Sequence, residues 1–421
     1  MTEDTYRGAL IGCRFAYAVQ AVGNNLTPVL LTVFSSLYGV SLAKLSLIIT
    51  INFIVQIPAD MLSVKICNKL GYRAAMLIAQ VISLTGLILL GLLPAATDGN
   101  LASLIVSSAL VSVGGGLTEV VVSPLTDSLP VGASKSKLAL LHSSYCWAAC
   151  AVIAAASLSL AFTGYGRWYV LPLCFTALPI INIAVFSLVK MPRCAEPAQV
   201  SDIKQWGKDK TFYILIALMF CAGAAEVTIS QWSSLFAEQA LGLDKQIGDI
   251  LGPCAFAAAM GIGRLIISAS GDDCSKAMTL AAAGCAVCYF TVALMPIRAM
   301  SLAACALCGL TVSVMSPSAY SLASRRLAGG NILLFGILAI AADIGCSAGP
   351  AITGLISDAV ESGALGEICQ GLGFGAQELS MRAGIAAGAV FPIILLVLSR
   401  VLDRRGFGCP MPVKLLSDNK K

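Results

Sequence analysis

Long apolar runs recur from one end of the chain to the other, and they constrain the fold more than any other feature. Hydrophobic residues make up 58% of the 421 residues and charged residues only 12%, whereas soluble domains carry roughly 25% charged residues. Many runs reach about 20 residues, enough for a helix to cross a hydrocarbon core of about 30 Å. Because unpaired backbone groups are costly in lipid, each run is predicted to be a membrane-spanning helix.

The pattern predicts an all-α membrane protein with twelve transmembrane helices. The predicted helices cover residues 8–34, 44–65, 73–95, 101–128, 137–162, 167–190, 211–238, 246–270, 276–296, 299–324, 332–358 and 382–402. The first run has two acids ahead of it and no small-residue cleavage site after it. We therefore interpret it as an uncleaved span rather than a signal peptide.

Basic residues predict the orientation of these helices. With a cytoplasmic N-terminus, 21 of the 27 lysines and arginines fall on the cytoplasmic side and five on the outer side. This count places Arg264 on the cytoplasmic side and Arg14 within the first helix. The bias follows the positive-inside rule and predicts a cell-membrane protein with both termini in the cytoplasm. The basic residues lie in short loops rather than in one patch, which argues against binding to nucleic acid.

The twelve helices divide into two similar halves. Residues 191–210 form a charged segment with two prolines and no apolar run, and this segment separates six helices from six. The Ser123–Pro124 pair near the end of helix four recurs as Ser316–Pro317 near the end of helix ten. We therefore predict two pseudo-symmetric six-helix bundles, at residues 1–190 and 211–421, joined by a cytoplasmic linker at 191–210. Substrate is expected between the bundles, near the midplane.

This layout resembles the major facilitator superfamily over essentially the whole chain. The family's signature between helices two and three matches the segment VKICNKLGYR at Lys69, Gly71 and Arg73 and departs from it at three other positions. The equivalent segment of the second half, SASGDDCSK, retains Asp272 and Lys276. The resemblance implies that these five residues form a cytoplasmic gate.

Four segments resemble the fucose-permease-like branch of the superfamily, which includes proton-linked sugar symporters. They are GGGLTEVVVSPL, KSKLALLHSSY, GAAEVTISQW and AADIGCSAGPAITGLISD. The resemblance implies that the carboxylate of helix four, Glu119, is the proton site. The branch has a second acid in helix one, but Asn24 and Asn25 occupy the polar point of that helix here.

Three acids lie deep within predicted helices, where an ionised side chain is costly. Glu119 follows three consecutive glycines, Glu226 lies near the middle of helix seven, and Asp343 lies in the middle of helix eleven. Burial favours the neutral form of a carboxyl, so Glu119 and Asp343 are predicted to take part in proton coupling. The alternative for Glu119 is a structural role, satisfied by a hydroxyl or by Arg14.

Other polar residues within the helices are candidates for the transport path. His142, the only histidine, is a candidate proton relay, with helix packing as the alternative. Trp232 offers a surface on which a sugar ring could stack, although tryptophan also marks membrane interfaces. The predicted substrate-binding residues are Gln20, Asn24, Asn25, Tyr145, Glu226, Gln231 and Trp232. The acids nearer helix ends are expected in interface or latch roles rather than in the substrate site; they are Asp60, Asp127 and Asp358.

These features predict a secondary active transporter that works by alternating access, with proton-coupled uptake of a sugar-like solute. The alternative in the same class is efflux of an amphipathic compound by proton antiport. The antiporter signature of the family is a glycine-rich run ending in Gly–Pro in helix five, and LLHSSYCWAACAVIAAAS lacks both residues. This difference favours uptake.

An intramembrane enzyme and a non-transporting receptor are less favoured. The chain has one histidine, no H-E-x-x-H metal pair and no phosphate-binding loop motif, so we predict that it is not an enzyme. No cofactor or metal is predicted, because nearly all of the sixteen cysteines lie in apolar runs and suit helix packing. The predicted partners are a small solute, protons and the lipid bilayer, and a monomer is expected.

Overall fold

The computed structural model describes residues 4–40, 42–130, 134–192, 206–270, 274–327, 332–361, 375–402 and 404. Within these residues, ten helices are long and apolar enough to cross a membrane. One of them contains two spans that meet at Gly71, and the more polar helix Asp4–Tyr38 adds another span. No β-strand occurs in the described part of the chain. The predicted all-α architecture of twelve membrane-crossing helices is confirmed.

Each bundle consists of six spans. Spans 1 to 6 are Asp4–Tyr38; Leu42–Ala96, which contains spans 2 and 3; Leu101–Ser128; Ser134–Thr163; and the pair Val170–Phe175 and Ala177–Leu188. Spans 7 to 12 are Lys210–Leu235; Lys245–Asp249 with Ala255–Ser270; Cys274–Leu294; Arg298–Val312 with Met315–Arg326; Ile332–Glu361; and Ala376–Gly388 with Val390–Leu402. Most of the predicted linker, residues 193–205, lies outside the described residues.

Polar caps mark the starts of two spans near where the sequence predicts them. The Asn100 side chain accepts a hydrogen bond from the Ala102 N–H at 2.9 Å at the start of span 4. The Asp209 carboxylate accepts one from the Thr211 N–H at 2.8 Å at the start of span 7. These caps satisfy donors that have no partner within the helix. Span 4 covers the predicted residues 101–128.

Several spans are interrupted where the sequence predicted continuous helices. Span 8 contains a π-helical turn at Ile250–Cys254 that includes Pro253, and proline has no N–H for the helical ladder. Span 10 breaks between Val312 and Met315. Span 12 begins at Ala376 rather than at the predicted residue 382. A hydropathy pattern reports how apolar a segment is, and it does not register such breaks.

Glycines bring neighbouring spans of the second bundle into backbone contact. A Cβ on Gly345 of span 11 would overlap the Phe220 carbonyl oxygen of span 7. A Cβ on Gly309 of span 10 would likewise overlap the Phe256 carbonyl oxygen of span 8. Because lipid is as apolar as the helices, association of spans depends on such close packing.

We expect Gly345→Val to destabilise the second bundle strongly. The new side chain would collide with the backbone of Phe220, which cannot rotate away, at a cost of about 1–3 kcal/mol or more. The midpoint of thermal unfolding in detergent measures the effect. Gly166→Ala is the matched control, because no atom lies within 4 Å of the position of its Cβ. Equal midpoints for the two variants would contradict this packing.

The two bundles meet along spans 5 and 8 and along spans 2 and 11. The Ser143 hydroxyl of span 5 donates to the Gly261 carbonyl of span 8 at 3.4 Å. A Cβ on Gly336 of span 11 would lie 3.2 Å from the Val64 side chain of span 2. Between these two lines of contact the bundles separate and leave a cavity.

Candidate transport site

The cavity lies between the bundles and has a volume of about 130 Å³. Spans 1, 2, 4 and 5 line one side of it, and their counterparts 7, 8, 10 and 11 line the other. A buried water needs roughly 10–15 Å³ by a comparable measure, so the cavity has room for a small solute. Most of the predicted site residues line it: Gln20, Asn24, Asn25, Glu119, His142, Tyr145, Glu226, Gln231 and Asp343.

Glu119 faces this cavity from span 4. The Gln20 amide of span 1 donates to its Oε2 at 2.5 Å, so its hydrogen-bond partner is a neutral amide rather than Arg14. A Cβ on the neighbouring Gly115 would lie 3.7 Å from the Gln20 side chain. That distance is an ordinary van der Waals contact, so span 1 packs against span 4 beside Gly115.

Arg264 is the main correction to the sequence interpretation of charge. It was counted among the cytoplasmic residues, but it is only 7% exposed and lines the cavity from span 8. Its Nη1 donates to the His142 carbonyl of span 5 at 3.0 Å. Its Nη2 lies 3.9 Å from the Glu226 carboxylate of span 7. The positive-inside count assigned Arg264 to the nearest loop, whereas it lies six residues before the end of span 8.

Amide and hydroxyl groups fill the polar wall between spans 1, 5 and 7. The Asn24 amide donates to the Tyr145 hydroxyl at 3.2 Å. The Gln231 amide donates to the Asn24 backbone carbonyl at 3.4 Å and so joins the two bundles. The Asn25 amide donates to the Ala21 carbonyl of its own helix at 2.9 Å. Neutral groups of this kind can exchange their hydrogen bonds for those of a hydroxylated solute.

His142 lies next to an aromatic residue that the sequence interpretation did not select. The rings of His142 and Tyr17 have centroids 5.5 Å apart, and the Tyr17 hydroxyl is 3.1 Å from the Ser123 hydroxyl. Tyr17 lines the cavity together with Gln20 and Asn24. Their spacing of three and seven residues is that of one helical face, a signal that could have identified Tyr17 from the sequence.

Asp60 lies deeper in the protein than its position near a helix end suggests. It is buried in span 2 with 1% exposure, does not line the cavity, and its carboxyl contacts that of Asp343 in span 11. Asp127 and Asp358 are exposed, as residues near helix ends usually are. No pattern within span 2 alone identifies which acid will meet an acid from the other bundle.

Trp232 does not line the cavity. It packs against span 11, where a Cβ on Gly354 would lie 3.3 Å from its ring, and it joins the apolar core of the second bundle. A helical turn carries side chains two residues apart to different faces, so Ser230 lines the cavity while Trp232 points away from it. Trp232 therefore lies outside the cavity lining in this conformation, and the stacking of a sugar ring on it stays a prediction.

Three of the five predicted gate residues, Lys69, Gly71 and Arg73, lie at the turn between spans 2 and 3. Gly71 has a φ of 81° and breaks the helix there. The Arg73 guanidinium donates to the carbonyls of Ser187 and Val189, at 2.7 and 2.6 Å, both at the end of span 6. These contacts lie within the first bundle. Lys69 and Lys276 are exposed, and Asp272 lies outside the described residues.

The comparisons with known proteins agree with this architecture. The model of the Major Facilitator Superfamily matches residues 14–350, and the chain therefore belongs to that family and is a multi-pass membrane transporter. No curated protein sequence matches it.

Two solved transporters illustrate the shared fold. The E. coli fucose:proton symporter FucP is similar with a TM-score of 0.67 and 19% identity, over 94% of this chain and 99% of that one. A bacterial homologue of the human lysosomal transporter Spinster, inward-facing and occupied, is similar with a TM-score of 0.70 and 14% identity, over 96% and 98%. Identities this low show the fold alone.

Proposed function

We propose that this protein is a secondary active transporter that couples proton movement to the uptake of a small, sugar-like solute by alternating access. The observation that carries the proposal is the position of Glu119. It faces a cavity between the two bundles, and its hydrogen-bond partner is the neutral amide of Gln20. A carboxyl in such a place can hold a proton while the cavity is closed and release it when water enters.

The lining of the cavity supports a hydroxylated cargo. Amides and hydroxyls from both bundles face the space, including those of Asn24, Tyr145 and Gln231. Their present bonds, at 3.2 and 3.4 Å, are long enough to be replaced by bonds to a solute. Glu226 stands beside Arg264 and adds an acceptor on the opposite wall. FucP is a fucose:proton symporter, which agrees with a sugar-like cargo here.

The remaining assignments belong to the same proposal. His142 and Asp343 assist proton movement, and Lys69, Gly71, Arg73, Asp272 and Lys276 gate the cytoplasmic side. The bundles comprise residues 1–190 and 211–421, with a linker at 191–210. The protein acts as a monomer in the cell membrane. Both of its termini lie in the cytoplasm, and the excess of basic residues in the loops on that side supports this orientation.

Uptake into proteoliposomes tests the function directly. Purified protein is offered a panel of radiolabelled monosaccharides, sugar acids and polyols, with and without an imposed inward proton gradient. We expect gradient-stimulated accumulation of at least one hydroxylated solute, abolished by a proton ionophore. If no solute of this class accumulates with the gradient in either direction, the proposed function is wrong.

Efflux of an amphipathic compound by proton antiport is the second candidate. The observation that favours it is the apolar part of the cavity wall, formed by Phe53, Met219, Phe256 and Met260. The same vesicles are therefore loaded with lipophilic amines and given the gradient that drives antiport. Stimulated amine release without sugar uptake would select this candidate over the first.

A further inference from the structure

Two buried acids meet across the interface between the bundles. Asp60 of span 2 and Asp343 of span 11 are 1% and 4% exposed, and their carboxyl groups lie within hydrogen-bond contact. Both oxygens of Asp60 and one of Asp343 have no donor among the described residues. Two carboxylates can only accept hydrogen bonds, so this contact requires a proton on one of them.

No cation among the described residues acts on either carboxyl of the pair. The ionisable groups that face it are Glu119 of span 4, Tyr320 of span 10 and Cys346, one turn further along span 11. Glu226 of span 7 lies farther along the same cavity, beside Arg264. That arginine bonds to the His142 carbonyl of span 5 and acts on neither carboxyl of the pair. Two carboxylates in contact with each other cannot both stay ionised in a dry site.

Span 4 seals one side of the pair, and the cavity opens on the other. A Cβ on Gly116 would lie 3.0 Å from the Asp60 carboxylate, so the backbone of span 4 covers that oxygen. Asp343 lines the cavity, whereas Asp60 does not. Protons therefore reach the pair from the cavity, through Asp343.

We propose that Asp60 and Asp343 form a proton-dependent clasp between the two bundles. One proton, shared between the carboxyls, holds spans 2 and 11 together. When that proton leaves to cavity water, two carboxylates remain and repel each other, and the spans separate at this level. The inference rests on the alternating access of the proposed function. It adds Asp60 as the partner with which Asp343 shares a proton, and it gives that proton a role in the conformation of the transporter.

Spans 2 and 11 run antiparallel. Residues before Asp60 in span 2 therefore lie beside residues after Asp343 in span 11, and labels there can measure the separation. Val64 contacts Gly336 on one side of the pair, and Phe53 packs with Cys346 on the other. Leu47 and Leu355 lie 12 or 13 residues from the pair toward that second side, about 18–20 Å away along each helix. Both side chains are exposed, at 44% and 68%, and so accept labels.

Spin labels on genetically encoded keto amino acids at Leu47 and Leu355 leave the sixteen cysteines untouched. Electron–electron distances are then measured in lipid nanodiscs between about pH 5 and about pH 9. We expect the short-distance population to fall at least about two-fold as pH rises. In D60N/D343N, which pairs two neutral amides, the short-distance population should persist at every pH. If the double variant fails to fold, D343N is measured in its place, and the same result is expected.

Glu119→Gln separates this inference from the proposed function. That variant should retain the pH-dependent distances while it loses gradient-driven uptake. If the short-distance population falls with pH in D60N/D343N and in D343N as it does in the wild type, the clasp is overturned. The clasp is also overturned if Glu119→Gln loses the pH response while the aspartate variants keep it. A wild-type response to sodium at constant pH would assign the pair to a metal cation instead and would equally overturn it.

Discussion

Glu119→Gln should abolish gradient-driven accumulation while it leaves exchange of solute across the membrane intact. Glutamine retains the size and hydrogen bonding of the side chain, so the Gln20 contact at 2.5 Å can be replaced by an amide–amide bond. It cannot carry or release a proton. With one proton coupled to each solute, a gradient of one pH unit supports about ten-fold accumulation, and the variant should reach a ratio of about one.

Two measurements make this prediction specific. Counterflow, in which labelled solute exchanges for unlabelled solute without a gradient, should proceed in Glu119→Gln because the cavity and its amides remain. Glu361→Gln, an exposed acid at the end of span 11, is the control and should accumulate solute as the wild type does. Ten-fold accumulation by Glu119→Gln would remove Glu119 from the coupling mechanism.

Oxidative cross-linking of Cys150 to Cys254 should stop turnover. The Cys150 thiol of span 5 donates to the Cys254 carbonyl of span 8 at 3.3 Å, and the Cys254 thiol donates to the Cys150 carbonyl at 3.7 Å. Copper phenanthroline would take two electrons and two protons from the thiols and join the bundles covalently. Since alternating access requires the bundles to move against each other, we expect uptake to fall by about ten-fold or more and to recover with dithiothreitol.

A second thiol pair provides the matched control. The sulfur atoms of Cys285 and Cys308 are 3.7 Å apart, but spans 9 and 10 belong to the same bundle. Oxidant should therefore still inhibit Cys308→Ser, while Cys150→Ser should resist it. Inhibition that persists in Cys150→Ser would show that the block arises elsewhere and that the contact between spans 5 and 8 need not open.

Much of the fold could be predicted from local pattern. Residues 101–128 were predicted as one helix, and span 4 occupies Leu101–Ser128, because an apolar run of sufficient length has only one way to satisfy its backbone in lipid. The breaks in spans 8 and 10 and the earlier start of span 12 were not predicted. They depend on packing against neighbouring spans, and a backbone that lines a cavity can depart from the regular helix.

The candidate site was also predicted in part from local pattern. Glu119, Glu226 and Asp343 stand out in any reading of the chain, since each is an acid in the middle of an apolar helix. Asp60 and Arg264 lie closer to helix ends and resemble interface residues in the sequence. Only their depth of burial, with 1% and 7% exposure, shows that they belong to the cavity and its interface.

The sequence by itself determined that the chain crosses a membrane repeatedly, that it consists of two similar halves, and that a few acids lie where charge is costly. Hydropathy and helical length are local quantities, so they can be obtained from one stretch at a time. The tertiary structure decided the partners: Gln20 for Glu119, Arg264 beside Glu226, and Asp343 for Asp60. Each of these pairs joins two different spans, and two of the three join spans far apart in the chain. Their members meet only when the spans pack and their rotation about the helix axis is set.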